Sequence, residues 1–308
     1  MKDKCVLISG GTGSLAQALV PKILALDPRK VIIYSRGEHL QEEMARKFPD
    51  RRMRFFIGDV RDKPRLESAM RGVDVVIHTA ALKIVPSLEF NPFEAVHTNI
   101  IGAENVIQVA IRVGAEKVMA ISTDKAVAPV NLYGATKLCA EKLFLAAHVM
   151  GGDGGPRFGV CRYGNVLSSR GSVALLFQGI KDNGGDHIPI TDVRMTRFII
   201  TLDQAADFVL GCIDRMKGKE IFVPRIPSAT IVDIHKAIAP DLPARIIGIR
   251  PGEKLHETLI TEDERSHSEA HAWGWVIHRD FRYGPNCGYS SDNNDQWLSP
   301  EQLRELLG

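Results

Sequence analysis

Short, nearly continuous apolar runs recur along the first two thirds of the chain, at 5–9, 31–34, 53–57, 73–78, 118–122 and 158–163. Most are rich in Val and Ile and too short for a helix, the pattern of strands buried on both faces. Between them, at 14–26, 38–48, 63–70, 92–113 and 133–149, apolar residues return every three or four positions, which predicts helices. Regular alternation of this kind predicts an α/β fold built on a parallel, doubly wound sheet. The glycine-rich run 151–155 reads as the loop between the last of these helices and the sixth strand.

After about residue 165 the pattern loosens. Helices are predicted at 171–182, 201–216 and 230–239, and short strands at 187–190, 220–223 and 245–249, with Pro and Gly between them. This predicts a sheet domain over 1–165 and a smaller α/β substrate lobe over 166–308, woven from several segments, some of which return to the sheet. The stretch 262–298 reads as polar and irregular, and a short helix is expected at 299–307.

Composition narrows the classes. The 308 residues are 44% hydrophobic and 25% charged, ordinary for a globular chain, and the formal net charge of +2 gives no electrostatic case for nucleic acid. No window approaches the roughly 18 apolar residues of a membrane span. A strand-like run begins within a few residues of the N-terminus, leaving no room for a signal peptide. Five scattered cysteines, at 5, 139, 161, 212 and 287, show no spacing for zinc or a disulfide framework. The expectation is a cytoplasmic protein with no bound metal.

Chemistry enters at the first strand-to-helix junction. Gly10, Gly11 and Gly13, with Thr12, Ser14 and Leu15, form a glycine turn that opens a helix. Such a turn lets backbone N–H groups approach a dinucleotide pyrophosphate at a helix N-terminus. The second strand ends in Tyr34-Ser35-Arg36 rather than in an Asp or Glu. A hydroxyl and a guanidinium suit a ribose 2′-phosphate, which favours NADP. Asp59 and Val60 fall where an adenine would lie, and Ala80 and Ala81, just before Lys83, would let a cofactor lie close.

Tyr133 and Lys137 are spaced i and i+4, so they share one helix face. That helix follows the fifth strand, which ends in Ser122 and Thr123, at the crevice where doubly wound sheets bind ligands. An ammonium near the phenol is expected to lower its pKa, so that it takes a hydroxyl proton as hydride leaves the same carbon.

Together, Ser9-Gly-Gly-Thr-Gly13, the Asn99 region and Tyr133-x-x-x-Lys137 resemble the extended short-chain dehydrogenase/reductase superfamily acting on nucleotide sugars. Further stretches resemble its soluble UDP-N-acetylglucosamine 4,6-dehydratases, which invert C5 and start pseudaminic acid and related capsule sugars. Among them are Ser122-Thr-Asp-Lys125, Asn131-Leu-Tyr-Gly-Ala-Thr-Lys137, Arg162-Tyr-Gly-Asn-Val166 and Gly248-Ile-Arg-Pro-Gly-Glu-Lys-Leu-His-Glu257. The resemblance implies a Rossmann-like fold, NADP, a UDP-sugar substrate and a homo-oligomer. It also implies an internal redox cycle: oxidation at C4, loss of water across C5 and C6, and return of hydride to C6. In that cycle Asp124 is the acid for the C6 hydroxyl and Lys125 the base at C5, beside Thr123, Tyr133 and Lys137. Asn99 and Lys83 fall on the cofactor side. Lys83, Asn165, Arg170, Thr191, Arg250 and Asn294 fall on the substrate side, Arg250 at the diphosphate. Asp124 would need to hold a proton near neutrality, and Lys125 to be neutral. Ile84 stands where relatives carry a His, which would bear on substrate choice or the fate of C5. A C5-retaining dehydratase, a nucleotide-sugar 4-epimerase and a non-catalytic NADP-sensing protein remain as alternatives.

Overall fold

The chain follows the predicted alternation in the computed structural model, which describes residues 1–169, 171–278 and 288–307. Its first part runs β1 (Cys5–Ser9), α1 (Ser14–Ala25), β2 (Lys30–Ser35), α2 (Glu38–Lys47), β3 (Met53–Ile57), α3 (Lys63–Met70) and β4 (Val75–His78). Two short helices, α4 (Val85–Phe90) and α5 (Pro92–Val96), then lead through a wide π turn (His97–Ile101) into α6 (Gly102–Val113). Next come β5 (Lys117–Thr123), a 3-10 turn (Asp124–Ala126), α7 (Leu132–Met150) and β6 (Arg157–Tyr163). The remainder begins with β7 (Asn165–Val166), α8 (Val173–Asp182), β8 (Ile188–Ile190), β9 (Thr196–Ile200), α9 (Leu202–Arg215) and β10 (Glu220–Pro224). It continues with β11 (Ser228–Thr230), α10 (Ile231–Ile238), β12 (Ala244–Ile246), β13 (Thr258–Ile260) and α11 (Glu262–Arg265). It closes with β14 (Ser268–His271), β15 (Gly274–His278), β16 (Tyr289–Ser290) and α12 (Pro300–Leu307).

The main sheet has the order β14-β15-β10-β6-β5-β4-β1-β2-β3. From β3 to β10 every pairing is parallel, with Val6 opposite both Val31 and Val75. The order reverses between β1 and β4, the switch point of a Rossmann-like sheet and the place where its ligands bind. Val6, Leu7 and Ile8 of β1 are wholly buried because helices cover both faces, as their unbroken apolar run predicts. A second, smaller core gathers Phe177, Ile188, Ile190, Ile199, Ile234 and Leu303 from the segments after β6.

Two expectations change. The helix predicted over 92–113 is interrupted at its start by the π turn, and α4, which periodicity did not predict, precedes it. Pro86 and Pro92 each sit in the first turn of a short helix, where a missing N–H costs nothing, so the prolines divide one apolar stretch into two. The stretch 262–298, expected to be irregular, carries β14 and β15, and these close the main sheet as an antiparallel hairpin against β10. Glu269 and His271 on the edge strand made the hairpin read as polar; charged side chains are how an edge strand avoids pairing with another chain. Among the described residues no helix is long and apolar enough to cross a membrane.

Candidate active site

A cleft of about 1100 Å³ opens over the C-terminal ends of β1, β2, β4, β5 and β6. Its floor includes Gly10, Thr12, Gly13, Ser14 and Leu15 from the glycine turn, Ser35 and Arg36 after β2, Asp59 and Val60 after β3, and Ala80, Ala81 and Lys83 after β4. Its roof comes from the smaller lobe, with Asn165, Thr191, Arg197, Arg250 and Glu257.

The floor fits a dinucleotide. Gly10 has φ +65°, and a Cβ there would stand 2.8 Å from the backbone N and Cα of Ala80. Only glycine therefore lets β1 and β4 approach so closely at the turn, leaving the start of α1 open to a phosphate. Gly13 precedes α1 in extended conformation, and the first helical turn carries no acidic side chain. Ser35 is held by Gln41, whose amide Nε2 donates to both its carbonyl and its hydroxyl at 3.0 Å. Arg36, half exposed, lies 3.8 Å from the Asp59 carboxylate, so the two close the adenosine end together.

Asn99 and Asn294 are not on the cleft wall. The Asn99 amide braces the loop after β4, accepting from Leu82 N at 2.8 Å and donating to Leu82 O at 2.9 Å and to Thr136 Oγ1 at 3.0 Å. Asn294 donates to Ile226 O and Ser228 Oγ at 2.8 and 2.9 Å, fixing the strand β11 inside the smaller lobe rather than reaching a ligand. Arg170 lies outside the described residues. Arg250 faces the cleft but shares its guanidinium with Glu253, 2.8 Å from Nε. Ile84, largely exposed, stands at the cleft mouth.

The acid-base groups converge where β5 ends. Thr123 Oγ1 donates to Asp124 Oδ1 at 2.9 Å, and the 3-10 turn swings Lys125 to the wall, where its Nζ meets Asp124 Oδ1 at 3.0 Å. Lys125 also donates to Asn165 Oδ1 at 3.2 Å and pairs with Glu257 Oε1 at 3.2 Å. Both charged side chains of the Asp124-Lys125 pair were expected to line the cavity. Lys125 does, whereas Asp124 is fully buried just behind it, with Oδ2 making no hydrogen bond among the described residues. Lys125 was also expected to be neutral. Burial presses its pKa down, but the Asp124 and Glu257 carboxylates outweigh burial and hold it above the ordinary lysine range.

Tyr133 lines the cleft at the start of α7, and Asn131 caps that helix by accepting from Gly134 N at 2.8 Å. Burial pushes the Tyr133 phenol up to about 12, against the pull of the Lys125 cation and of its contact with the Thr123 side chain. The phenol is thus not lowered in the protein by itself, and the cation that acts on it is Lys125. Lys137, one turn along, donates to Ile121 O at 2.6 Å, and burial lowers its pKa to about 8 against the Glu141 carboxylate. Glu141 accepts from Ser122 Oγ at 2.5 Å and from the wholly buried Arg162, whose guanidinium also holds Glu264.

Three participants were not singled out from the sequence. Gly134 sits so close to the 3-10 turn that a Cβ would stand 2.1 Å from Lys125 O. Arg197 crosses beneath the roof and donates to Leu255 O and Lys254 O at 2.9 and 3.1 Å. Glu257 stands within a stretch that carries the resemblance, but only the fold shows that it faces Lys125.

A family model described as "Polysaccharide biosynthesis protein" matches residues 6–278. The chain is 48% identical to a UDP-N-acetylglucosamine 4,6-dehydratase (inverting) of Campylobacter jejuni subsp. jejuni serotype O:2, across 99% of this chain and 97% of that one. It is 41% identical to a UDP-glucose 4-epimerase of Rickettsia akari, across 87% of this chain and 80% of that one. Among solved structures, Pen from Bacillus thuringiensis superimposes with a TM-score of 0.93 at 38% identity, covering 99% and 97% of the two chains. DesIV, a dTDP-glucose 4,6-dehydratase from Streptomyces venezuelae solved with NAD bound, superimposes with a TM-score of 0.75 at 22% identity over 82% and 86%, a likeness of fold.

Proposed function

This chain belongs to the polysaccharide biosynthesis protein family, and from that premise we propose that it dehydrates UDP-N-acetylglucosamine to a UDP-2-acetamido-2,6-dideoxy-4-hexulose with inversion at C5. The observation that carries this reading is the meeting of Lys125 and Tyr133 at one end of the cleft, with the buried Asp124 carboxylate 3.0 Å from Lys125 Nζ just behind the wall. A dehydrogenase needs only the tyrosine and its lysine. A second acid and a second base are what the removal of water adds to it.

A nicotinamide cofactor across the glycine turn would accept the C4 hydride and later return it to C6. NADP is favoured over NAD because Ser35 and Arg36 end β2 with no carboxylate to hold a free 2′-hydroxyl. Tyr133 takes the proton of the C4 hydroxyl. Since its phenol lies near 12 without a ligand, that transfer depends on added positive charge, from Lys125 and from the cofactor ring. Lys125 takes the C5 proton, made acidic by the C4 ketone, and Asp124 protonates the departing C6 hydroxyl. Asn165 holds Lys125 and the sugar edge, and Arg250, with Lys83, faces the diphosphate; Thr191 lines the sugar side. The reading assigns the reaction to the cytoplasm, where both nucleotides are found. Exposed Phe90 on α4 and Phe93 on α5 support assembly into a homo-oligomer.

The test is NMR of the product made from UDP-N-acetylglucosamine in D₂O. A 4-keto, 6-deoxy product carrying deuterium at C5 with inverted configuration is expected, and recovery of unchanged substrate without deuterium overturns the proposal. The identity to a UDP-glucose 4-epimerase favours epimerisation as the second reading. Lys125→Ala separates the two, because epimerisation survives that change and loss of water does not.

A further inference from the structure

Glu257 is buried, lines the cleft and has no place in the redox half of the reaction. Its Oε1 lies 3.2 Å from Lys125 Nζ, opposite Asp124. Among the described residues its Oε2 makes no hydrogen bond, and Lys254 Nζ stands 3.9 Å from it while donating to Val127 O. A buried carboxylate oxygen without a donor is costly, and native structures keep such groups where function uses them.

The surrounding backbone holds Glu257 in place. Its N–H donates to Ser291 Oγ at 2.9 Å, and Ser291 N donates back to Glu257 O at 2.8 Å. Arg197 pins the two residues Lys254 and Leu255 just before it. So the side chain is directed at Lys125 by a rigid frame, and one ammonium lies between two buried carboxylates.

We propose that Glu257 is a positioning residue for the elimination half of the reaction: it holds the Lys125 ammonium on the cleft wall and takes a proton from it, leaving the amine that acts at C5. In that step a Lys125 N–H bond breaks and a Glu257 O–H bond forms. Charge is conserved, nothing is oxidised, and no further reactant is needed. The amine then takes the C5 proton, becoming an ammonium again. Inversion requires that C5 be reprotonated on its other face, by solvent; Lys125 releases the proton it took to solvent and recovers the first from Glu257. Asp124, accepting from Thr123 and Lys125 through one oxygen, keeps Oδ2 for the C6 hydroxyl. The two carboxyl groups on Lys125 thus have separate duties: Glu257 serves C5 and Asp124 serves C6.

This inference rests on the dehydratase reading, and its test separates the two. Glu257→Gln keeps the size and one acceptor for the ammonium but cannot take its proton. Full-length parent, Glu257→Gln and Glu257→Asp proteins, checked for equal melting temperature, are mixed with UDP-N-acetylglucosamine and NADP in D₂O under single-turnover conditions. Appearance of reduced nicotinamide reports C4 oxidation, and NMR reports deuterium at C5 and loss of water. In Glu257→Gln, deuterium uptake and water loss are expected to fall about 100-fold while C4 oxidation stays within about threefold, with Glu257→Asp recovering part of the loss. Water loss in Glu257→Gln within about threefold of the parent overturns the inference, as does a parallel fall in C4 oxidation and C5 exchange. A parent protein that loses no water overturns the dehydratase reading itself.

Discussion

Gly134→Ala is the smallest change expected to disable the site. Gly134 lies in the first turn of α7, immediately after Tyr133, and faces the 3-10 turn that presents Asp124 and Lys125. A Cβ there would stand 2.1 Å from Lys125 O and 3.0 Å from Lys125 C and Pro129 Cβ. An ordinary carbon-oxygen contact is about 3.2 Å, so helix and turn must separate by about 1 Å, and the obstacle is backbone rather than a movable side chain. Over-packing of this kind costs about 1–3 kcal/mol of stability. The same shift moves the Tyr133 phenol relative to Lys125, and a misplacement of about 1 Å costs on the order of 100-fold in rate. Thermal unfolding, run beside single-turnover formation of the keto sugar, reads both effects. The expected result is a rate loss far larger than the fraction of protein unfolded would explain. A Gly134→Ala protein with activity within about threefold of the parent and an unchanged melting temperature would refute the claim that this contact sets the distance between the two catalytic elements.

Arg36→Ala is expected to weaken NADP about 10- to 100-fold and NAD by about twofold or less, measured by cofactor titration, because one charge-assisted contact to the 2′-phosphate is lost. Arg162→Met leaves the buried Glu141 and Glu264 carboxylates without their shared cation, so a loss of about 3–5 kcal/mol in urea unfolding is expected, with partial recovery in Arg162→Met combined with Glu141→Gln. Lys137 supplies a pH signature. Burial lowers its folded pKa to about 8, below its unfolded value of 10.5, so the unfolded chain binds more protons between those two values. Stability contributed by this residue therefore rises with pH through that window, and below about pH 8 the buried charge is a cost. Relative to Lys137→Met, the parent should gain about 2 kcal/mol between pH 8 and pH 10 in urea unfolding. A difference that stays flat, or one that falls, contradicts the lowered pKa.

Much of the large sheet was legible because strands buried on both faces must be apolar throughout, and β1, β2, β4, β5 and β6 appear largely as such runs. The glycine turn was legible for a related reason: a backbone that approaches as closely as Gly10 does Ala80 admits no Cβ, so the residue type itself records the contact. Tyr133 and Lys137 could be placed on one face from their spacing. Less legible were α4, which periodicity did not predict, and the π turn, which breaks the helix read over 92–113 near its start; Pro86 and Pro92 each sit in the first turn of a short helix there. The β14–β15 hairpin was hidden by its edge position, since a strand with one solvent side carries the composition of a loop.

By itself, the sequence determined the α/β sheet, the phosphate-binding turn, the absence of a carboxylate after β2 and the presence of an acid and a base next to each other at the end of β5. These are local matters, decided by residue type and by spacing within one element. Tertiary structure decided the charge states and the partners. Lys125 was expected to be made neutral, yet Glu257, 132 positions further along, stands 3.2 Å from it and, in the site at rest, holds it as an ammonium. Lys137 was expected to serve the phenol; its ammonium donates to Ile121 O, and the cation that pulls the Tyr133 phenol down is Lys125. A pKa depends on every charge within a few ångströms and on how much water is excluded, and both are set by segments remote in sequence that only folding brings together.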